Sequence, residues 1–384
     1  MPAWLTFGGL VILGIVLGIV LERGRFCFVT AFQETMEFHN PWILRGVIFS
    51  MGLLALATGI LSQFGLLHPA LVNQGWYTVL GGLLFGTGIA MCGACATGQL
   101  FRAGAGYIAN WMEFIGAGLG ALLYAVVWWG PVEKPALAAS HPISLLKVFG
   151  IPPILWGLLV GIAFIALAQY LRRFLPQLKS QTYREKRFTF SLKKPWHPYA
   201  AGVGLAVVTI LYALLTKGSS MSVMSPNALS VAWPLNQVTQ LFGLNLATLP
   251  WYRDPGRWHP SLVGLGVVLF IPLAIVGAHF SSRLAGEFRL RMPAKRSKLL
   301  WYLVGGIIMG FGARMALGCN VGSWYDSLAF RFDLSGLLFS AGLFPGVWFG
   351  TRLDEWVAER IWGFGAGSAG VIAPARLSRD SLAE

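Results

Sequence analysis

One short pattern is written twice in this 384-residue chain, each time inside apolar sequence. It runs Gly81-Gly82, Gly86, Gly88, Met91, Cys95, Gly98 in the first half. In the second half it runs Gly305-Gly306, Gly310, Gly312, Met315, Cys319, Gly322, at a constant offset of 224. Paired, glycine-broken apolar segments in the two halves of a membrane chain are the sequence mark of a transporter's midplane site. Here each copy also supplies a thiol.

The rest of the chain supports a membrane setting. Only 11% of residues are charged and 56% are hydrophobic, where a soluble protein carries about 25% charged residues. Apolar runs of about 20 residues, the length that spans a bilayer core as helix, recur at 4–21, 42–62, 76–92, 107–130, 152–171, 199–216, 260–280, 299–317 and 334–350. Helices satisfy their own backbone in lipid. The runs therefore predict an all-α polytopic membrane protein with about nine transmembrane helices. Glu22-Arg23-Gly24-Arg25 follows the first run where a signal peptide would carry a small-residue cleavage site, so that run reads as a span.

The formal charge of +14 raises nucleic acid as a partner, but its distribution points to topology. Arg172, Arg173, Lys179, Arg184, Lys186, Arg187, Lys193 and Lys194 crowd one linker, and Arg283, Arg289, Arg291, Lys295, Arg296 and Lys298 another. Short basic loops face the cytoplasm. The intervening loop 217–259 then lies outside, with only Lys217, Arg253 and Arg257 as positive charges. Counting back places the N-terminus outside; the tail, with Arg352, Arg360, Arg376 and Arg379, lies inside.

Five spans precede the first basic linker, and five is odd. The second half thus enters the membrane upside down, giving two inverted-topology repeats with re-entrant half-helices. The predicted layout is a first repeat at 1–175, a basic cytoplasmic linker at 176–198, a second repeat at 199–355 and a cytoplasmic tail at 356–384. The cysteine segments fall at 81–106 and 305–326. Segment 22–38 is too polar to span and reads as re-entrant. Gly24-Arg25-Phe26-Cys27-Phe28-Val29 stands opposite Gly218-Ser219-Ser220-Met221-Ser222-Val223, sulfur against sulfur. A surface helix is expected over 235–249 of the outer loop.

All four cysteines, Cys27, Cys92, Cys95 and Cys319, lie in or beside apolar segments. A buried cysteine is ordinarily a small hydrophobe, but Cys95 and Cys319 match across the repeats, whereas Cys92 faces Ala316. Cys92-Gly93-Ala94-Cys95 also spells C-x-x-C, which leaves a membrane thiol-redox protein as an alternative. Scattered histidines argue against zinc; Met91, Met221, Met224 and Met315 keep a Cu(I) carrier open. A neutral S–H donates a weak hydrogen bond without repelling an anion, and broken helices offer free N–H groups. Together they suit a soft, sulfur-bearing anion. Intramembrane charges are functional candidates, here Arg25, Arg102 and Arg314, with Glu22, Glu34, Asp326 and Asp333 as available partners. The chain holds no Walker A motif, so ATP use would need another subunit.

Three stretches carry a family likeness: 22–32 (Glu-Arg-Gly-Arg-Phe-Cys-Phe-Val-Thr-Ala-Phe), 95–106 (Cys-Ala-Thr-Gly-Gln-Leu-Phe-Arg-Ala-Gly-Ala-Gly) and 312–322 (Gly-Ala-Arg-Met-Ala-Leu-Gly-Cys-Asn-Val-Gly). With them the chain resembles the YeeE/YedE family of bacterial sulfur-transport membrane proteins, whose characterised members take up thiosulfate. The resemblance covers about residues 1–355. It implies an hourglass-shaped, inverted-repeat helical fold and a relay of S–H···S contacts through Cys27, Cys95 and Cys319. It also implies import across the bacterial inner membrane without enzymatic activity or cofactor, and by analogy a cytoplasmic sulfurtransferase partner. Membrane lipid is the other partner, and nucleic acid is not one. Gln99, Arg102, Asn320 and Arg314 join the candidate path as neighbours of the cysteines, and Met221 as an outer counterpart of Cys27. The Trp324-Tyr325-Asp326 rim departs from the family pattern and keeps other sulfur or selenium oxyanions open as cargo.

Overall fold

The apolar runs fold as helices, and the glycines decide where those helices touch. The computed structural model describes residues 2–37, 39–174, 191–241, 243, 245–249 and 261–362. The first half contains α1 (Ala3–Gly24), α2 (Phe28–Glu37), α3 (Trp42–Gln63), α4 (Trp76–Cys92), α5 (Gly98–Gly104), α6 (Ile108–Val127) and α7 (Pro153–Tyr170). The second contains α8 (Pro198–Leu215), α9 (Met224–Gln240), α10 (Leu262–Leu284), α11 (Ser297–Met315) and α12 (Ser335–Val357). Among the described residues the other elements are short helical turns and two isolated bridges, Tyr107 with Arg291 and Ser144 with Asp333.

Among the described residues seven segments are long and apolar enough to cross a membrane, those of α1, α3, α6, α7, α8, α10 and α11. Helix α4 is apolar but only 17 residues long. Helix α12 has 23 residues and ends in a charged turn with Arg352, Asp354 and Glu355. The protein is therefore an all-α, multi-pass membrane protein.

Helices α4 and α11, which carry the repeated pattern, cross backbone to backbone. A Cβ on Gly81 would lie 2.5 Å from Ala316 N and 2.8 Å from Gly312 O. One on Gly88 would lie 2.5 Å from Met309 N and 2.6 Å from Gly305 O. The contacts run antiparallel and are reciprocal, because Gly81 corresponds to Gly305 and Gly88 to Gly312. Small residues permit such close approach where lipid offers no hydrophobic drive between helices.

The flanking pairs are exchanged between halves. Helix α4 lies beside α12, with Gly342 against Val79 and Gly346 against Leu83. Helix α11 lies beside α6, with Gly116 against Leu303 and Gly120 against Ile307. Each helix that carries the repeated glycines thus packs on the long helix that follows the other's cysteine segment. The same exchange recurs where α1 meets α10 through Gly14 and Gly18, and where α3 meets α8 through Gly46 and Gly202.

The expected surface helix over 235–249 is corrected. The helix there is α9, which starts at Met224 and ends at Gln240, and Met224, Asn227, Ala228, Ala232 and Asn236 on it are buried. Its inward face recurs every three to four residues, but serine, asparagine and proline disguise it as loop. Pro226 falls in the first turn, where a missing N–H breaks no helical bond. Lys179, Arg184, Lys186 and Arg187 of the basic linker, Arg253 and Arg257 of the outer loop, and Arg376 and Arg379 of the tail lie outside the described residues.

Candidate functional site

Each cysteine segment is a helix stopped by a left-handed residue. Gly93 caps α4 with φ 62°, and Leu317 follows α11 with φ 57°. The two positions match across the repeats, and each stands two residues before the cysteine. Glycine adopts this conformation freely, whereas leucine gives up about 1–2 kcal/mol to do so. The break is therefore kept in both halves, although only one half has the residue that eases it. Helix α1 ends the same way at Arg25, φ 51°, with Phe26 N–H returning to Leu21 O. That turn sets Cys27 at the base of α2. Lys217 and Gly218 close α8 with φ 56° and 94°.

These breaks bring two thiols together. The Cys27 S–H points at the Cys95 sulfur, 3.6 Å away. The same sulfur accepts the N–H of Phe28 at 3.3 Å and of Gly98 at 3.4 Å, and lies 3.1 Å from Thr97 Oγ1. Both cysteines are free thiols and almost fully buried. Gly98 is required by proximity, since a Cβ there would sit 2.6 Å from Cys27 Sγ. Arg102 holds the frame, donating to Gly93 O at 2.6 Å and to Thr30 Oγ1 at 3.2 Å. It thus ties α5 to both the α4 break and α2.

In the second half the backbone of Val223, Val321 and Gly322 faces the buried Cys319 sulfur. Asp326 pins this loop to the segment before α9, accepting from Met221 N–H at 2.9 Å and Ser220 Oγ at 2.7 Å. Position 326 matches Arg102 across the repeat, so the residue that ties the loop is a cation in one half and an acid in the other. Arg331 binds Asp333 at 2.6 Å and Gly322 O at 2.7 Å. The halves meet at an aromatic wall, with Phe28 and Phe32 of α2 edge-on to Trp324 at ring separations of 6.0 and 5.3 Å. Tyr325 packs there too and shares a 2.6 Å hydrogen bond with Ser50.

The remaining candidates fall into distinct settings. Met221 is buried beside Asp326. Gln99 and Asn320 are fully buried, and their side-chain amides have no hydrogen-bond partner among the described residues. Arg314 donates to Ser225 Oγ at 2.7 Å and lies over the Tyr124 ring, joining α11 to α9. Arg25 is 56% exposed and reaches Glu287 at 3.6 Å, while its neighbour Arg23 is buried with Glu22 and Glu287. Cys92 donates to Tyr302 O at 3.4 Å and abuts Gly305, whereas the thiol on Cys95 is Cys27. The two thiols of the C-x-x-C spacing thus point to different neighbours, one to α11 and the other to the turn before α2.

Sequence reading passed over Glu113, Asn110 and Asn227, all fully or almost fully buried. Glu113 and Asn110 barely change the hydropathy of the 107–130 run, where the available signal was a polar residue at intramembrane depth; Asn227 lies in α9, whose polar first turn hides the helix.

Fold and site define a polytopic helical membrane protein with buried thiols seated at the breaks of interrupted helices. A family model described as sulphur transport matches residues 23–349. The chain belongs to that family. It is 27% identical over 359 residues to the thiosulfate transporter TsuA of Spirochaeta thermophila, covering 88% of this chain and 97% of that protein. It is 28% identical over 323 residues to the thiosulfate transporter TsuA of Escherichia coli, covering 81% and 84%. To the probable transporter YedE of Escherichia coli it is 33% identical over 178 residues, 45% of this chain and 43% of that one.

Proposed function

We propose that this protein imports thiosulfate, or a closely related sulfur-containing anion, across the bacterial inner membrane through a path lined by Cys27, Cys95 and Cys319. The observation that carries the reading is the Cys27–Cys95 contact of 3.6 Å at a helix break whose counterpart holds Cys319. The names of the two full-length relatives support the cargo.

The terminal sulfur of thiosulfate takes the place of one partner in the S–H···S contact, receiving the Cys27 proton donor while the Phe28 and Gly98 N–H groups stand beside it. No bond to carbon or sulfur is made or broken, and no cofactor takes part. The anion reaches this contact from the outer side, passing between the Cys319 and Cys95 loops along the aromatic wall before it meets Cys27. Reciprocal glycine contacts between α4 and α11 support an inverted repeat, with the N-terminus outside, the C-terminus inside, and alternating access between the halves. A cytoplasmic sulfurtransferase is the fitting consumer of the product.

The test is growth of a thiosulfate-uptake-deficient bacterium on thiosulfate as sole sulfur source, expressing wild type, Cys95→Ser, Cys319→Ser or Cys92→Ser. Wild type and Cys92→Ser restore growth; the other two lower radiolabelled uptake at least about tenfold, a difference of roughly 1.4 kcal/mol. Equal growth with all three variants removes the thiols from the path. Failure of Cys92→Ser alongside Cys95→Ser revives the thiol-redox reading.

A further inference from the structure

One buried acid has no part in the thiol path. Glu113 sits one turn into α6 with 0% exposure, inside the apolar run. Its Oε2 accepts from Asn110 Nδ2 at 2.6 Å, while Glu113 Oε1 and Asn110 Oδ1 have no partner among the described residues. Two orphaned acceptor oxygens on adjacent side chains want a donor proton, and leaving such groups unmet costs about 1–3 kcal/mol each. No ion pair relieves the acid among the described residues. Arg102 faces it from α5, but the hydrogen bonds of that guanidinium go to Gly93 O and Thr30 Oγ1. Cys27 faces it from the turn before α2, Cys92 from α4 and Tyr302 from α11. Glu113 therefore shares an electrostatic neighbourhood with the Cys27–Cys95 site through Arg102, without touching the thiols.

We propose that Glu113 is the proton-coupling site of the transporter, taking up one proton as the anion arrives beside Arg102 and releasing it as the anion leaves. This rests on the transport reading above. An ionised Glu113 opposes an incoming anion and competes with it for the positive field of Arg102. A protonated Glu113 leaves that field to the anion and supplies the O–H its neighbourhood lacks. Anion and proton thus favour each other's binding, and the coupling is reciprocal. One carboxylate and one amide oxygen are too few ligands to strip the water from a sodium ion, so the coupling ion is the proton.

The experiment uses the full-length protein in liposomes with radiolabelled thiosulfate and a trapped pH-sensitive dye. In the wild type, an inward proton gradient drives accumulation, about tenfold more for each pH unit and proton carried, and the lumen acidifies with uptake. Glu113→Gln keeps the side-chain length and the Asn110 contact but holds no exchangeable charge. It should retain thiosulfate exchange across the membrane and lose gradient-driven accumulation, and Glu113→Asp should restore part of that accumulation. Gradient-driven accumulation by Glu113→Gln, loss of its exchange along with its accumulation, or wild-type uptake that ignores the proton gradient but follows sodium each overturns the proposal. Absence of any wild-type uptake sinks the transport reading, and the coupling falls with it.

Discussion

A methyl group on Gly305 would meet the Cys92 sulfur at 2.6 Å, with Met91 Cβ at 3.1 Å and Gly88 O at 3.2 Å. The nearest obstacle is thus a side chain, unlike that at Gly88, where backbone lies at 2.5 Å. Gly305→Ala alone is an overpacking change of about 1–3 kcal/mol. Cys92→Ala alone removes a buried sulfur and costs roughly 1 kcal/mol, near the value of one buried methylene. Combined, the new methyl occupies the space the sulfur vacates, while the 3.1 and 3.2 Å contacts persist. The double variant should therefore lie about 1–2 kcal/mol closer to wild type than the sum of the single changes, within the usual coupling of touching residues. Thermal unfolding of the detergent-solubilised protein, followed by the loss of its monodisperse chromatographic peak, measures all four corners of the cycle. Thiosulfate uptake should follow stability throughout. Strict additivity would refute the packing account of Cys92. Uptake lost in a Cys92→Ala protein of unchanged stability would refute it more directly, by giving that thiol a role in the path.

Two other outcomes separate matched positions by their surroundings. Gly98→Ala drives a carbon to 2.6 Å from Cys27 Sγ and should cut uptake at least about tenfold, whereas its counterpart Gly322→Ala meets its nearest neighbour at 3.8 Å and should be tolerated; parallel uptake assays decide. Asp333→Asn leaves the buried Arg331 charge without its 2.6 Å partner and should cost about 3–5 kcal/mol, read as lost folded yield in membranes.

Register between the halves could be read from the chain because the features that fix it are local. Glycines at the α4–α11 crossing and cysteines two residues past each break recur at a fixed spacing, and no other residue replaces a glycine at such a crossing cheaply. The Cys27–Cys95 contact could not be read, since it depends on how two separate breaks are oriented. Nor could the settings of the arginines. A single left-handed residue at the end of α1 leaves Arg23 buried and Arg25 exposed, although both look alike in sequence. Glu22 and Asp333 pair with Arg23 and Arg331, neither of them among the candidate cations, because each finds that partner within two residues along the chain. Helix α9 went unseen because its first turn is written in proline, serine and asparagine. Glu113 went unseen because one acid cannot outweigh the apolar residues around it.

The exchanged packing of the halves has a consequence for biosynthesis. Helix α4 finds its parallel neighbour in α12, which begins about 240 residues further along the chain. At ordinary translation speeds that is a wait on the order of tens of seconds. During that interval the glycine faces of α4 that will meet α11 and α12 stand open in the bilayer, and neither half holds a complete set of helix contacts. The first half cannot mature as a separate domain. An insertase or chaperone that shelters small-residue helix faces should therefore govern the yield of this protein more than the hydrophobicity of any one span.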